Sequence, residues 1–349
     1  MSNYDQFAAA VKEISGGKNI VLLDDLGLPS VYVPINKLKN SEIISGGSEN
    51  THPAFSVNGV EKSRFLYSKY QNIVINGRAY SLSHRDPKTY VNFDQARQAC
   101  EAKGAGFHLG TLAEWAAVAL LTRKMGTMPH GNNNYGGDSA YTYEKGQESA
   151  KDNNKTGRTF TGSGPATWGH DHTQFGIQDM NGNVWEWLGG MRLNEGEIQI
   201  IPYNNAALGS ECDMSASSTL WKAIKNDGSL VAPGTAATLK YDFVSNNIQL
   251  TTGITSAQDA GRGGSYTAMT LASGVTAPEL AKALILYPDE PGKDYGGDYH
   301  WMNNAGERLP LAGGYWTDGA GAGVFALNLS NARSNSGGHI GFRSAYVEL

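Results

Sequence analysis

Only two cysteines, Cys100 and Cys212, occur in the 349 residues, which excludes a disulfide framework and a cysteine-built zinc centre. Both are read as free thiols. Charge is also scarce: acidic and basic residues make up 17% of the chain, and the net charge of -5 leaves no basic surplus to neutralise a phosphate backbone. Nucleic acid is therefore a poor partner. No stretch reaches the roughly 18 uninterrupted apolar residues of a membrane helix. The opening MSNYDQFAAAVKEIS has no continuous apolar region of the kind a secretory signal needs, so the chain is expected to be made as a soluble protein. Glycine, by contrast, is plentiful at 44 residues, and together with 10% aromatics and 40% hydrophobics it argues against coiled coils and helical arrays.

Tyr4, Phe7, Ala8, Val11 and Ile14 form a one-sided stripe that predicts a helix ending at Ser15-Gly16-Gly17. Ile20 to Leu23 and the alternating Val31, Val33 and Ile35 predict a hairpin around Asp24 to Gly27. Residues 1–50 are taken as an N-terminal helix-plus-hairpin extension, packing on the main body or on another copy, and residues 51–349 as the principal domain. A strand pair turning at Asn76-Gly77 is expected between Tyr67 and Tyr80. Asn92 caps a predicted helix with Phe93, Ala96, Ala99 and Cys100 inward, and Thr111 with Glu114 opens another running to about Lys124. The polar run 127–170 is expected to be a surface excursion, and Pro278 to Leu286 a helix.

Several motif matches fail on context. His84-Arg85-Asp86 has the wrong spacing to Asn92 for a kinase loop, and Gly319, Gly321 and Gly323 do not sit in a strand-to-helix turn. His170-Asp171-His172 lacks a third convergent metal ligand. The run from Phe175 to Trp187 is more informative. Asn181-Gly182-Asn183 predicts a tight turn with positive φ, and Trp185 and Trp187 then share one side of an extended segment while Glu186 points to the other.

Gly182-Asn183-Val184-Trp185-Glu186-Trp187, preceded by Phe175-Gly176 and Asp179-Met180, resembles the signature of the formylglycine-generating-enzyme type of C-type-lectin fold. Tyr90 to Arg97, Leu109 to Trp115, Gly313-Gly314 and Gly341-Phe342-Arg343 extend the resemblance over about residues 65–349. It implies an α+β C-type-lectin fold with loop-rich insertions. Such oxidases depend on a C-terminal cysteine pair, and no cysteine follows Cys212, so that activity is not expected and no catalytic residue is assigned. The resemblance also implies a structural calcium site, for which Asn181 and Glu186 would supply oxygens; no other cofactor is expected.

Residues 311–343 further resemble the variable region of proteins diversified by diversity-generating retroelements. In that family, adenine-directed mutagenesis rewrites template asparagine codons while a fixed scaffold between them is kept. By that resemblance Tyr315, Thr317, Asp318, Gly321, Asn328, Ser330, Asn331, Gly337, Gly338 and His339 are the variable, ligand-binding positions. Trp185, Trp187, Trp316, Arg333 and Arg343 are scaffold, the two arginines through internal pairing. The implied function is non-enzymatic recognition of a protein or cell-surface ligand, with multiple copies raising a weak single-site affinity. The resemblance places the protein on a phage virion or a bacterial surface, and otherwise in the cytoplasm. A divergent oxidase and a structural virion or surface subunit remain the alternatives.

Overall fold

Two reciprocal capping boxes fix the principal helices in the computed structural model, which describes residues 3–349. At Asn92 the side chain accepts from the Gln95 amide at 2.9 Å and Gln95 returns the bond at 3.1 Å. Thr111 and Glu114 do the same at 3.2 and 3.0 Å, so orphaned amides at both helix starts are satisfied. We number the elements that position the site in chain order. They are α1 (Asn3–Ile14), β1 (Ile20–Leu23), β2 (Pro29–Asn36), β3 (Arg64–Ser68), α2 (Phe93–Glu101), β4 (Phe107–Leu109) and α3 (Leu112–Met125). They continue with β5 (Trp185–Trp187), β6 (Met191–Asn194), β7 (Glu197–Ile200), β8 (Tyr299–Met302), β9 (Glu307–Gly313), β10 (Gly323–Asn331), β11 (Ile340–Phe342) and β12 (Ser344–Tyr346).

The first sheet runs β1-β2-β3-β12-β4 and is antiparallel throughout. The predicted N-terminal hairpin is therefore the edge of a sheet shared with the body: Val33 lies opposite Tyr67, and Tyr67 opposite Ala345. Helix α1 has no buried residue, so most of the stripe read from its sequence faces solvent. A second, larger sheet carries β8-β10-β9-β6-β7 along its path, and β5 lies between β9, antiparallel, and β11, parallel. Helix α3 is buried nearly all round and packs beneath the second sheet. Its Trp115 donates to the Val324 carbonyl at 2.7 Å, joining helix to β10.

Three readings are corrected. The span from Tyr67 to Tyr80 is not one strand pair; β3 ends at Ser68, and a separate hairpin, Ile73–Ile75 with Arg78–Tyr80, turns at Asn76-Gly77. The helix near Pro278 is short, Glu279–Ala283, with Pro278 as its N-cap. Most consequential is the 127–170 run, which is not simply surface. Asn132, Asn133, Thr159 and Thr161 are buried within it. Polar residues can be buried there because their partners are supplied from far along the chain: the Thr159 amide donates to Asn183 Oδ1 at 2.8 Å, and Asn183 Nδ2 to Gln71 Oε1 at 2.8 Å.

Candidate recognition face

The closing segment is built on the β9–β10 hairpin. Its ladder slips between Ala312 and Gly313, where Gly313 pairs with Gly323 after Ala312 pairs with Leu327. Gly313 and Gly314 have φ of 94° and 85°, a region that L side chains rarely enter. A Cβ on Gly313 would also sit 3.0 Å from the Met180 carbonyl. These glycines turn the chain out of the sheet into the 315–322 loop. Trp316 anchors that loop, with its indole bonded to Asp152 Oδ2 at 3.0 Å and its carbonyl accepting from the Tyr135 amide at 2.8 Å. Asp318 Oδ2 accepts from the Tyr315 amide at 3.0 Å. Burial raises the Asp318 carboxyl to about 7, partly offset by that bond.

Along β10 the side chains divide. Phe325, Leu327 and Leu329 are fully buried, whereas Asn328, Ser330 and Asn331 are half-buried. All ten residues assigned as variable by resemblance are half-buried, and Trp316, Trp185, Trp187 and Arg343 are buried between or behind them. Asn328 Oδ1 accepts from both the amide and the hydroxyl of Ser330, at 3.0 and 2.6 Å.

Contacts join the two ends of the segment. The Tyr315 ring lies against His339, whose partial burial lowers its pKa and favours the neutral ring. The His339 carbonyl accepts from the Trp185 amide at 2.9 Å, and Trp185 packs edge to face on Trp301 with centroids 5.5 Å apart. Trp301 neighbours Asn328 in the parallel β8–β10 ladder. On the other side, Tyr90 donates its amide to the Gly337 carbonyl at 3.0 Å, and its hydroxyl lies 3.0 Å from where a Gly338 Cβ would be. Tyr90, Tyr299 and Trp301 thus border the assigned positions, and sequence reasoning gave none of them a binding role. Only the alternation of Tyr299 and Trp301 with buried His300 and Met302 carried a signal for an outward aromatic pair.

Beneath the face, Arg343 is fully buried. It holds Glu186 through Nε to Oε2 at 2.5 Å and Nη2 to Oε1 at 2.6 Å, and donates to the Ser68 and Gln178 carbonyls. Burial works against the Arg343 charge, but Glu186 more than compensates, leaving its pKa above the ordinary value. Arg333 bonds Glu307 twice, at 3.0 Å each, and Asp94 at 3.0 Å.

The oxygens considered for calcium do not form a shared site. Asn181 Oδ1 accepts from Asn133 and its Nδ2 donates to the Pro129 carbonyl, while both Glu186 oxygens meet Arg343. Gln71 Nε2 fills the adjoining space, 3.0 Å from Glu186 Oε1 and within 3.5 Å of the Asp179, Gly182 and Val184 carbonyls. A calcium ion would have to displace this amide and share a carboxylate with a guanidinium, so Asn181 and Glu186 do not fit it. His170 is likewise committed, since its Nδ1 accepts from the Ile177 amide.

The sulfatase-modifying factor enzyme 1-like domain family matches residues 35–270, and the chain belongs to that family, with its C-type-lectin fold. The match ends before the closing segment. Treponema denticola variable protein 1 is structurally similar at 12% identity and a TM-score of 0.33, covering 94% of this chain and 98% of that one. The U1 variant of Major Tropism Determinant matches at 12% and 0.31, covering 90% and 62%; the P3c variant matches at 11% and 0.31, covering 94% and 71%. No curated protein matches the chain.

Proposed function

We propose that this chain is a non-enzymatic binding protein whose residues 311–343 are diversified by a retroelement to change the ligand it recognises. One observation carries the reading: the ten positions assigned as variable are all half-buried, and the apolar residues threaded between them along β10 are buried. Side chains at such positions are exchanged at less cost than those of the core threaded between them, where a buried leucine truncated to alanine loses about 2–5 kcal/mol. A frame of this kind separates stability from specificity.

The cysteines also favour binding over oxidation. Burial pushes the Cys100 thiol well above its ordinary value and Cys212 up to about 11, so neither is poised as a thiolate. The ligand is a protein or cell-surface group, met from a phage tail or a bacterial surface. No helix among the described residues is long and apolar enough to cross a membrane. Copies displayed together would raise a weak single-site affinity.

Sequencing the DNA beside the gene tests the proposal. A reverse-transcriptase gene and a near-copy of codons 313–343 that differs only at adenines are expected. Their absence from the locus, with the ten positions invariant among natural isolates, would favour a structural subunit.

A further inference from the structure

Seven tryptophans are present, and five donate the indole N–H to an internal acceptor. Trp115 bonds the Val324 carbonyl, Trp168 Glu144, Trp187 the Val91 carbonyl, Trp221 the Ser215 carbonyl and Trp316 Asp152. The exceptions are Trp185 and Trp301. Neither has an acceptor among the described residues, and neither nitrogen is sealed from solvent. The two indoles pack together with centroids 5.5 Å apart at 85°, and their N–H groups, unpaired within the protein, are left for an acceptor that comes from outside.

The surroundings keep that place open. Tyr299 donates its hydroxyl to the Gly263 carbonyl at 2.6 Å, which fixes its ring 4.6 Å from Trp301. Gly321, one of the ten assigned positions, lies beside both rings: a Cβ there would be 3.4 Å from Tyr299 Cβ and 3.7 Å from Trp301 Cη2. That is ordinary contact, so any residue is admitted, but a long side chain at 321 would lie along the indole. The arginines bordering the face are neutralised, Arg158 by Asp86 and Arg333 by Glu307 and Asp94.

We infer that Trp301, backed by Trp185 and steadied by Tyr299, is a constant anchor of the recognition face, opened or covered by the residue at 321. It takes an uncharged protein segment that lays an aliphatic or aromatic side chain on the indole and offers a carbonyl oxygen to its N–H. A fixed ring and donor supply contact area at small entropic cost, and the changing residues around it select among segments. The inference rests on the reading of this face as the ligand-binding surface.

The test uses the whole chain. Wild-type protein selects peptides from a displayed library of random twelve-residue sequences, and the synthesised winners serve as probes. Trp301→Ala and Gly321→Leu are each expected to weaken binding at least about tenfold, as for a central aromatic anchor. Trp301→Phe, which keeps a ring and loses the donor, should weaken it less. Gly321→Leu, which leaves the core untouched, should also reduce acrylamide quenching of indole fluorescence, and it carries the test if Trp301→Ala does not fold. Retained binding in Gly321→Leu and Trp301→Phe, alongside loss in a Tyr315→Ala/His339→Ala variant, overturns the anchor and leaves the binding face standing. Unchanged binding in every variant, or no peptide dependent on this face, overturns both.

Discussion

The rings of Tyr315 and His339 lie 4.9 Å apart at 41°, although one follows the glycine pair that opens the closing loop and the other precedes β11. The contact exists because β5 pairs with β9 on one side and β11 on the other, Glu186 facing both Ala312 and Gly341. The two ends of the segment therefore meet on one central strand. Side chains substituted on this patch would remain neighbours whatever their identity, since backbone pairing sets their spacing.

Truncations along β10 should separate frame from surface. Leu327→Ala and Leu329→Ala are expected to lower unfolding free energy by about 2–5 kcal/mol. Asn328→Ser and Ser330→Ala should each cost clearly less than either leucine truncation, within about 1 kcal/mol. Urea denaturation of the four variants decides it; comparable losses at the outward positions would contradict the division.

The Asp318 carboxyl titrates at about 7 in the folded chain against an ordinary 3.8, because burial penalises its charge. A raised acid makes the folded state hold its proton longer than the unfolded one, so stability falls as pH climbs through roughly 4 to 7 and levels off above. Asp318→Asn keeps an oxygen for the Tyr315 amide and removes this loss. Its melting temperature should exceed wild type at pH 8, with the gap closing towards pH 4. A gap independent of pH would refute the assignment.

Breaking the Arg343–Glu186 pair from one side should be severe. Arg343→Met or Glu186→Gln leaves a buried charge uncompensated and is expected to cost about 3–5 kcal/mol, whereas Arg343→Met with Glu186→Leu should cost less than the two single losses summed. With Glu186 held by Arg343 and Gln71, the wild-type melting temperature should be the same in EDTA and in millimolar calcium. A fall in EDTA would show a cation where the Gln71 amide lies.

Native protein should leave Cys100 and Cys212 unmodified by a thiol reagent at neutral pH, and both should react once the chain is unfolded, since each is buried with a raised thiol. Rapid labelling of the native state would reopen the case for thiol chemistry.

Local signals were readable where the information is local. The Asn92 and Thr111 capping boxes define their own helix starts, and the Asn76-Gly77 turn, with φ of 50° and 77°, follows from two residues. The burial within 127–170 is not legible in the sequence, because Asn132 and Thr159 look like surface residues until Asn183 is brought to them by the fold. The ten assigned positions came from resemblance in one continuous segment. Tyr90, Tyr299 and Trp301 reach the same patch from distant strands and loops, and no spacing rule links them to it.

Strand β12 comes after every assigned position and enters the middle of the first sheet, between β3 and β4. A product that terminates or shifts frame anywhere in 311–343 cannot fill that gap, and Tyr67 and His108 lose the neighbour, Ala345, that separates them. The first sheet therefore closes only after the whole closing segment has been read through, which ties completion of the fold to residues made after it.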